Sequence, residues 1–129
     1  MRVVIGVGAS RGVPYGEVLG LVDTALAEAG LARQDVARLA TLDGKTSEPG
    51  LLAAAEELGV ALVGHPAEAL AAVAVPSPSA SALAAVGTPS VAEAAALLEA
   101  HGGPLLVPKR RSTAATVAIA RLNPQGAPK

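Results

Sequence analysis

Short apolar runs alternate along this chain with longer segments whose apolar residues recur at helical spacing, and this alternation constrains the fold most. The runs are rich in Val, Leu and Ile, which is typical of strands buried on both faces of a sheet. Most of the longer segments end at or near Gly, as helices often do. The strand candidates are Val3–Val7, Leu39–Leu42, Val60–Val63, Leu105–Val107 and Thr116–Ala120.

Strands that alternate with helices predict an α/β layered fold. We expect a single three-layer domain in which helices cover both faces of a mainly parallel sheet of about five strands. The last two strand candidates, which the loop Pro108–Ala115 joins, could instead form an antiparallel hairpin. The domain is predicted to span residues 1–122, and residues 123–129 are expected to form a flexible tail.

Helical spacing is found in five segments, and a rigid polar turn is predicted at Pro76–Ser79 between two of them. Because the chain has no Phe, no Trp and one Tyr, its core must be built from Val, Leu, Ile and Ala. Elements with such small side chains must pack close together. The helical segments are Val18–Ala29, Leu51–Leu58, Pro66–Val73, Ser79–Val86 and Val91–Ala100.

Composition and charge exclude several classes of function. The net charge is −1 and only 16% of residues are charged, so no global field attracts nucleic acid or acidic membranes. The absence of Cys excludes disulfides and thiolate metal sites. The N-terminus has no signal-peptide pattern, and no apolar run approaches the ~20 residues that a bilayer-spanning helix needs. We therefore expect a soluble cytoplasmic protein.

Polar residues follow four of the predicted strands. Because ligands of open α/β sheets bind at the carboxyl ends of the strands, these segments are the candidate site. They are Gly8–Val13, Asp43–Glu48, Gly64–Pro66 and Pro108–Thr113.

The stretch GVGASRG, Gly6–Gly12, lies between a strand and a helix. Its backbone N–H groups could hold an anion at the start of the helix, with Arg11 as a clamp. A tight strand–helix turn, which also needs Gly, is an equally good interpretation. Nicotinamide binding is disfavoured because Arg11 stands where the dinucleotide fingerprint requires Gly, and the acidic residue Asp43 comes too late.

The stretch TLDGKTSEPG contains three charges within six residues, at Asp43, Lys45 and Glu48. A purely structural interpretation has Ser47 or Glu48 capping the next helix, with Pro49 in its first turn and Lys45 solvated. That interpretation accounts for Glu48 but not for Asp43 or Lys45, so a functional role for the loop stays open.

The segment TPSVAEAAALLEAHGG is interpreted as mainly structural. Ser90 and Glu93 form the pattern of a capping box before an apolar run. A nucleophilic Ser90 is disfavoured because no His lies nearby in sequence. With only His65 and His101 and no Cys, we expect no metal site.

The stretch PKRRST brings three consecutive cations, Lys109–Arg111, to the predicted end of a strand. It is either a solvated basic turn or a site for carboxylate or phosphate, which Arg contacts as a planar fork and Lys as a point charge. Nucleic acid is disfavoured because the net charge is negative and aromatic residues for base stacking are lacking.

Four stretches in order resemble the CobE / CbiG C-terminal-domain family of cobalamin biosynthesis. They are GVGASRG, TLDGKTSEPGL, GTPSVAEAAAL and LLVPKRRSTAATVAIARL, which together span almost the whole chain. The sequence departs from the family pattern at Ala9, where many relatives have Cys, and at Gly44, where a longer side chain is usual.

The resemblance implies a role in corrin-ring synthesis, with a tetrapyrrole or corrinoid intermediate as ligand and other corrin-pathway enzymes as candidate partners. Long family members are cobalt-precorrin-5A hydrolases, which open a ring lactone and release a two-carbon aldehyde. This chain looks like the short form, although an excised domain of a longer protein would look similar. No bound cofactor is expected.

The resemblance also implies a site suited to the acetate and propionate groups of a corrin precursor. Arg11, Lys45 and Lys109 are predicted to face one shared pocket, with Asp43 and Glu48 positioning Lys45 or acting as acid or base on a lactone. The binding candidates are Gly8, Ser10, Arg11, Asp43, Lys45, Glu48, Ser90, Lys109 and Arg110, and the catalytic candidates are Asp43, Lys45 and Glu48.

Three functions remain open at the level of the sequence. The protein could be a binding module that holds and passes on a corrin intermediate, or an enzyme that hydrolyses or rearranges one. The third is a nucleotide- or phosphate-binding α/β domain unrelated to corrin synthesis.

Overall fold

The fold is that of a computed structural model, which describes residues 1–73 and 91–123. The predicted turn Pro76–Ser79, the predicted helical piece Ser79–Val86 and the candidate Ser90 lie outside the described residues, as does most of the predicted tail, residues 124–129. The described strands are β1 Val3–Ala9, β2 Val36–Leu42, β3 Ala61–His65, β4 Leu105–Arg111 and β5 Ala115–Arg121.

Four α-helices connect or flank these strands in the described residues. Two 3₁₀ turns, Arg33–Asp35 and Asp43–Lys45, precede and follow β2. The helices are α1 Tyr15–Glu28, α2 Pro49–Leu58, α3 Ala67–Ala71 and α4 Val91–Glu99.

The described strands form one five-stranded sheet in the order β3-β2-β1-β5-β4. β1 pairs in parallel with β2, and β2 with β3. β5 is antiparallel to both of its neighbours, β1 and β4. Four of the five strands therefore run in the same direction. The predicted α/β fold with a five-stranded sheet is confirmed, and the last two strands form the antiparallel hairpin that the sequence left open.

The predicted loop between the last two strands is much shorter than the sequence suggested. β4 continues through Pro108 to Arg111, so the three consecutive cations lie within a strand and only residues 112–114 form the turn. The strand accommodates a proline because it lies at the edge of the sheet that the described residues form, where one row of backbone groups has no partner strand among them. Its pairing with β5 is irregular, with register shifts between Leu105 and Val107 and between Val107 and Arg110.

Helices cover both faces of the sheet, as predicted for a three-layer domain. On one face, α1 and α2 pack on alternate residues of the central strands, including Val3, Ile5 and Val7. On the other face, α3 and α4 pack through smaller side chains such as Ala40, Ala95 and Ala118. An alanine-rich helix can approach the sheet closely, which compensates for the missing aromatic volume.

Gly6 is where α4 and the sheet come closest. A Cβ on Gly6 would overlap the carbonyl oxygen of Ala92 and lie 2.6 Å from the backbone nitrogen of Ala96. These obstacles are backbone atoms, which cannot move away as a side chain could. The glycine in the middle of β1 is thus required for the helix to rest on the strand.

We predict that Gly6→Ala destabilises the fold by about 2 kcal/mol or more, because overpacking against backbone displaces a whole helix. The matched control is Gly20→Ala in the middle of α1, where an added Cβ meets nothing within 4 Å. That change should stabilise the helix by roughly 0.5–1 kcal/mol. Urea denaturation of both variants measures the difference, and equal stability of Gly6→Ala and wild type would contradict the close packing.

Candidate functional site

The predicted strand-end segments meet at one edge of the sheet. β1, β2, β3 and β4 run in the same direction, so their carboxyl ends lie together, and β5 begins at that edge because it runs the opposite way. We call this edge the strand-end rim and define it by residues 10–13, 43–48 and 112–114. The rim also contains the first turns of α1 and α2, which begin directly after two of these segments.

The first rim segment is a turn in which the backbone N–H groups of Ser10, Gly12 and Val13 have acceptors within the protein. The N–H of Ser10 donates to the carbonyl of Ala114 at 2.9 Å. The N–H of Gly12 donates to the carboxylate of Glu48 at 2.8 Å. Gly12 has a φ of +80°, a conformation that favours Gly. The turn therefore uses an internal carboxylate where an external anion was considered.

Glu48 precedes α2 at the N-cap position, yet its side chain makes no capping hydrogen bond. Its carboxylate crosses to Gly12 instead, which lies 36 residues earlier in the chain. This contact differs from two of the roles considered for Glu48 from the sequence, the helix cap and the positioning of Lys45. The reason is tertiary: the turn after β1 lies beside the start of α2, because Gly50 packs directly against the carbonyl of Val13.

The 3₁₀ turn Asp43–Lys45 forms the second rim segment. The hydroxyl of Thr46 donates to the carbonyl of Asp43 at 2.9 Å and closes the turn. The Asp43 side chain lies over β3, since a Cβ on Gly64 would come within 2.5 Å of its Oδ1. Asp43 is exposed and Lys45 is half-buried.

The third rim segment, residues 112–114, is held by a residue that the sequence did not single out. The carboxylate of Glu17, in the first turn of α1, accepts the N–H of Ala114 at 2.6 Å and also the hydroxyl of Ser112. These hydrogen bonds, that of Ser112 above all, lower the pKa of the Glu17 carboxyl. No local signal could have identified Glu17, because Ala114 is 97 residues away in the chain.

The three cations of β4 have different surroundings. The backbone N–H of Lys109 donates to the carboxylate of Glu93 at 2.9 Å, and Glu93 is fully buried in α4. The guanidinium of Arg110 contacts Glu28, with 2.9 Å between Nη2 and Oε1. That contact, through the hydrogen bond above all, raises the pKa of Arg110 and lowers the pKa of Glu28. Arg110 is thus engaged with α1, whereas Arg111 is exposed.

Four cations at or next to the rim have no carboxylate within ion-pair distance among residues 1–73 and 91–123. By contrast, the guanidinium groups of Arg33, Arg38 and Arg110 all pair with acids. The four at or next to the rim are Arg11, Lys45, Lys109 and Arg111, whereas Arg2 and Arg121, which also have no acidic partner among the described residues, lie at the opposite edge of the sheet.

A separate charged cluster lies on the α4 face of the sheet. The Glu99 carboxylate contacts Arg38 of β2 with one oxygen and Nε2 of His65 with the other, the latter at 2.8 Å. All three side chains are largely buried, with 11–29% of the side-chain surface exposed. His65, which lies in the candidate segment Gly64–Pro66, is thus part of this cluster. The cluster ties α4 to β2 and β3.

Other site chemistry can be assessed only where the structure describes the chain. Among residues 1–73 and 91–123, no group of three or more His, Asp or Glu side chains lies in a geometry that could hold a metal ion. No helix in these residues is long and apolar enough to cross a membrane.

Comparison with known proteins identifies the family. A profile of the family described as "Cobalamin synthesis G C-terminus" matches residues 3–120, which is most of the chain. The chain belongs to this family. The resemblance noted in the four sequence stretches is thereby confirmed, and the alternative of an α/β domain unrelated to corrin synthesis loses its support.

Individual relatives agree with this assignment. The chain is 40% identical to Protein CobE from a Sinorhizobium species over 120 residues, which cover 91% of this chain and 78% of that protein. It is 29% identical to a cobalt-precorrin-5A hydrolase from Priestia megaterium over 116 residues, covering 90% of this chain but only 31% of the hydrolase.

The fold also matches a solved structure. The crystal structure of CobE, a protein from the cobalamin (vitamin B12) biosynthetic pathway, superposes with a TM-score of 0.89 at 37% identity, covering 94% of this chain and 93% of that one. The protein is therefore a member of a cobalamin biosynthesis family with a CobE-like fold.

We predict that Ser112→Ala raises the pKa of Glu17 toward its ordinary value of 4.5, because it removes the hydrogen bond that contributes most to the lowered pKa. A carboxyl with a lowered pKa stabilises the fold above its ordinary pKa, and the contribution is lost as pH falls through the lowered value. The loss of stability in Ser112→Ala should therefore be fully present above about pH 4.5 and should shrink as pH falls below that value.

NMR titration of the side-chain carboxyl of Glu17 measures this pKa. The matched control is Thr113→Ala, since Thr113 is the exposed neighbour of Ser112 in the same turn. An unchanged Glu17 pKa in Ser112→Ala would contradict the contact between the two residues.

Proposed function

We propose that the protein binds a carboxylate-bearing corrin intermediate at the strand-end rim and passes it to another enzyme of the pathway. The observation that carries the proposal is the group of four cations without acidic partners: Arg11, Lys45, Lys109 and Arg111. They lie at or next to the edge of the sheet where ligands of α/β proteins bind. Membership of a cobalamin synthesis family supplies the ligand class.

The chemistry of the ligand fits such an arrangement. Corrin precursors are broad macrocycles with acetate and propionate groups spread around the ring. Several separate cations suit them better than one deep pocket, since each carboxylate can meet its own donor. Arg11 and Arg111 are exposed and can offer a two-pronged contact, whereas Lys45 and Lys109 act as point charges.

The acids of the rim favour binding over catalysis in this proposal. The Glu48 carboxylate is occupied by the N–H of Gly12. The Glu17 carboxylate accepts the hydroxyl of Ser112 and the N–H of Ala114, which lower its pKa. A carboxyl with a lowered pKa is a poor proton donor. Asp43 is the remaining acid among the catalytic candidates, and it is exposed at the end of β2. The proposal retains the cytoplasmic location that the sequence analysis expects.

Hydrolysis is the second candidate, and the relative named cobalt-precorrin-5A hydrolase is the observation that favours it. The two functions differ in their products. Incubation of the purified protein with a lactone-bearing cobalt-precorrin should leave the compound unchanged if the protein only binds it. Release of a two-carbon aldehyde by the isolated chain, and its loss in Asp43→Asn, would instead establish hydrolysis.

We predict that Arg11→Met weakens binding of a corrinoid polycarboxylate by about tenfold, because a hydrogen bond to a charged group contributes about 1.5–3 kcal/mol. Arg121→Met is the matched control, since Arg121 is also exposed but ends β5 at the opposite edge of the sheet. It should bind as wild type does. Titration followed by the visible absorbance of the corrinoid measures each affinity.

The same titration with a fully amidated corrinoid tests the role of the carboxylates. We expect binding of the acid to weaken as salt is added and the amidated compound to bind much more weakly. Equal affinity for the two compounds, or an equal loss in Arg11→Met and Arg121→Met, would contradict the proposed function.

A further inference from the structure

Three acids of the described structure share an unusual arrangement. Glu17, Glu48 and Glu93 each stand at or just before the first turn of an α-helix. An acid at this position is stabilised by the helix dipole and needs no further explanation. The choice of hydrogen-bond partner does need an explanation, because each carboxylate accepts a backbone N–H from another segment of the chain and not from its own helix.

The donors are backbone N–H groups of segments at or next to the rim. Each of these segments contains one of the rim cations or follows it in the chain. Glu48 accepts from Gly12, the neighbour of Arg11, and Glu17 accepts from Ala114, just beyond Arg111. Glu93 accepts from Lys109 itself. The separations in sequence are 36, 97 and 16 residues, so each contact joins two different elements.

We propose that Glu17 and Glu48 are positioning residues, whose carboxylates hold the loops of the strand-end rim so that the rim cations stay available to a ligand. This inference rests on the proposed function. The backbone of the loop after β1 is fixed to the start of α2, and the β4–β5 turn is fixed to the start of α1. A third contact, between Ser10 and the carbonyl of Ala114, joins the two loops at 2.9 Å.

The arrangement also keeps two negative charges from neutralising the cations. Within the described parts of the chain, Glu17 and Glu48 form no ion pair with Arg11, Lys45, Lys109 or Arg111. Their oxygens face N–H and hydroxyl donors instead. A hydrogen bond to a charged acceptor is stronger than one between neutral groups, so an acid holds a loop better than Gln would.

This role predicts a counter-intuitive sign for the effect of Glu→Gln. If Glu17 and Glu48 were only negative charges near the site, their removal would strengthen binding of a polycarboxylate. If they position the loops, Glu17→Gln and Glu48→Gln weaken it, by about fivefold or more for each. Glu17→Asp and Glu48→Asp keep the charge but shorten the side chain, so they should weaken it as well.

The experiment combines corrinoid titration with amide hydrogen exchange. Exchange at Gly12 should accelerate in Glu48→Gln and exchange at Ala114 in Glu17→Gln, whereas other amides should exchange as in wild type. The matched control is Glu56→Gln. Glu56 is exposed on α2, so this substitution removes the same charge at a position away from the rim. The thermal midpoint of each variant shows whether the fold is intact.

The outcomes separate this inference from the proposed function. Tighter corrinoid binding by the Gln variants, or unchanged exchange at Gly12 and Ala114, would overturn the positioning role. If wild-type protein binds no corrinoid, the proposed function fails, and the exchange data alone then decide whether the two carboxylates hold the loops.

Discussion

The close contact between Gly6 and α4 is the constraint on which the arrangement of this domain depends. Without Phe or Trp, the protein fills its interior by bringing an alanine-rich helix directly onto the backbone of the central strand. The contact fixes the start of α4 near Gly8, where a Cβ would lie 3.6 Å from Val91. From there the buried Glu93 reaches the backbone of Lys109, so the position of the helix also determines the path of β4.

The position of β5 between β1 and β4 is the second feature that determines the shape of the strand-end rim. A purely parallel sheet would have placed a crossover at this position, but the antiparallel strand places a short turn there instead. That turn meets the loops after β1 and β2 at one edge of the sheet. Carboxylates at the starts of α1 and α2 then connect the loops, and the four described cations at or next to this edge that have no acidic partner stay available.

The sequence predicted the fold well because its periodic patterns are local. The alternation of apolar runs and helical segments was sufficient to predict the layers and the single five-stranded sheet. The same patterns predicted too short a β4, because Pro108 and the three cations that follow it are typical of a loop. An edge strand tolerates such residues, since one side of it faces no partner strand.

The site was less predictable because its contacts are tertiary. The sequence placed Asp43, Lys45 and Glu48 at a strand end, where the structure has them, but it could not show that Glu48 contacts Gly12. Nor could it show that Arg110 contacts Glu28, which is 82 residues away. Glu17 had no distinguishing pattern at all, because an acid in the first turn of a helix is common.

The most direct test of the account is a map of ligand-induced amide shifts in ¹⁵N-labelled protein during titration with a corrinoid polycarboxylate. The proposed function predicts that the changes concentrate at Ser10–Gly12, Asp43–Lys45 and residues 112–114, the three segments of the strand-end rim. Changes concentrated at the opposite edge, around Arg33–Asp35 and residues 101–103, would contradict it. So would saturable binding that leaves the rim amides unshifted.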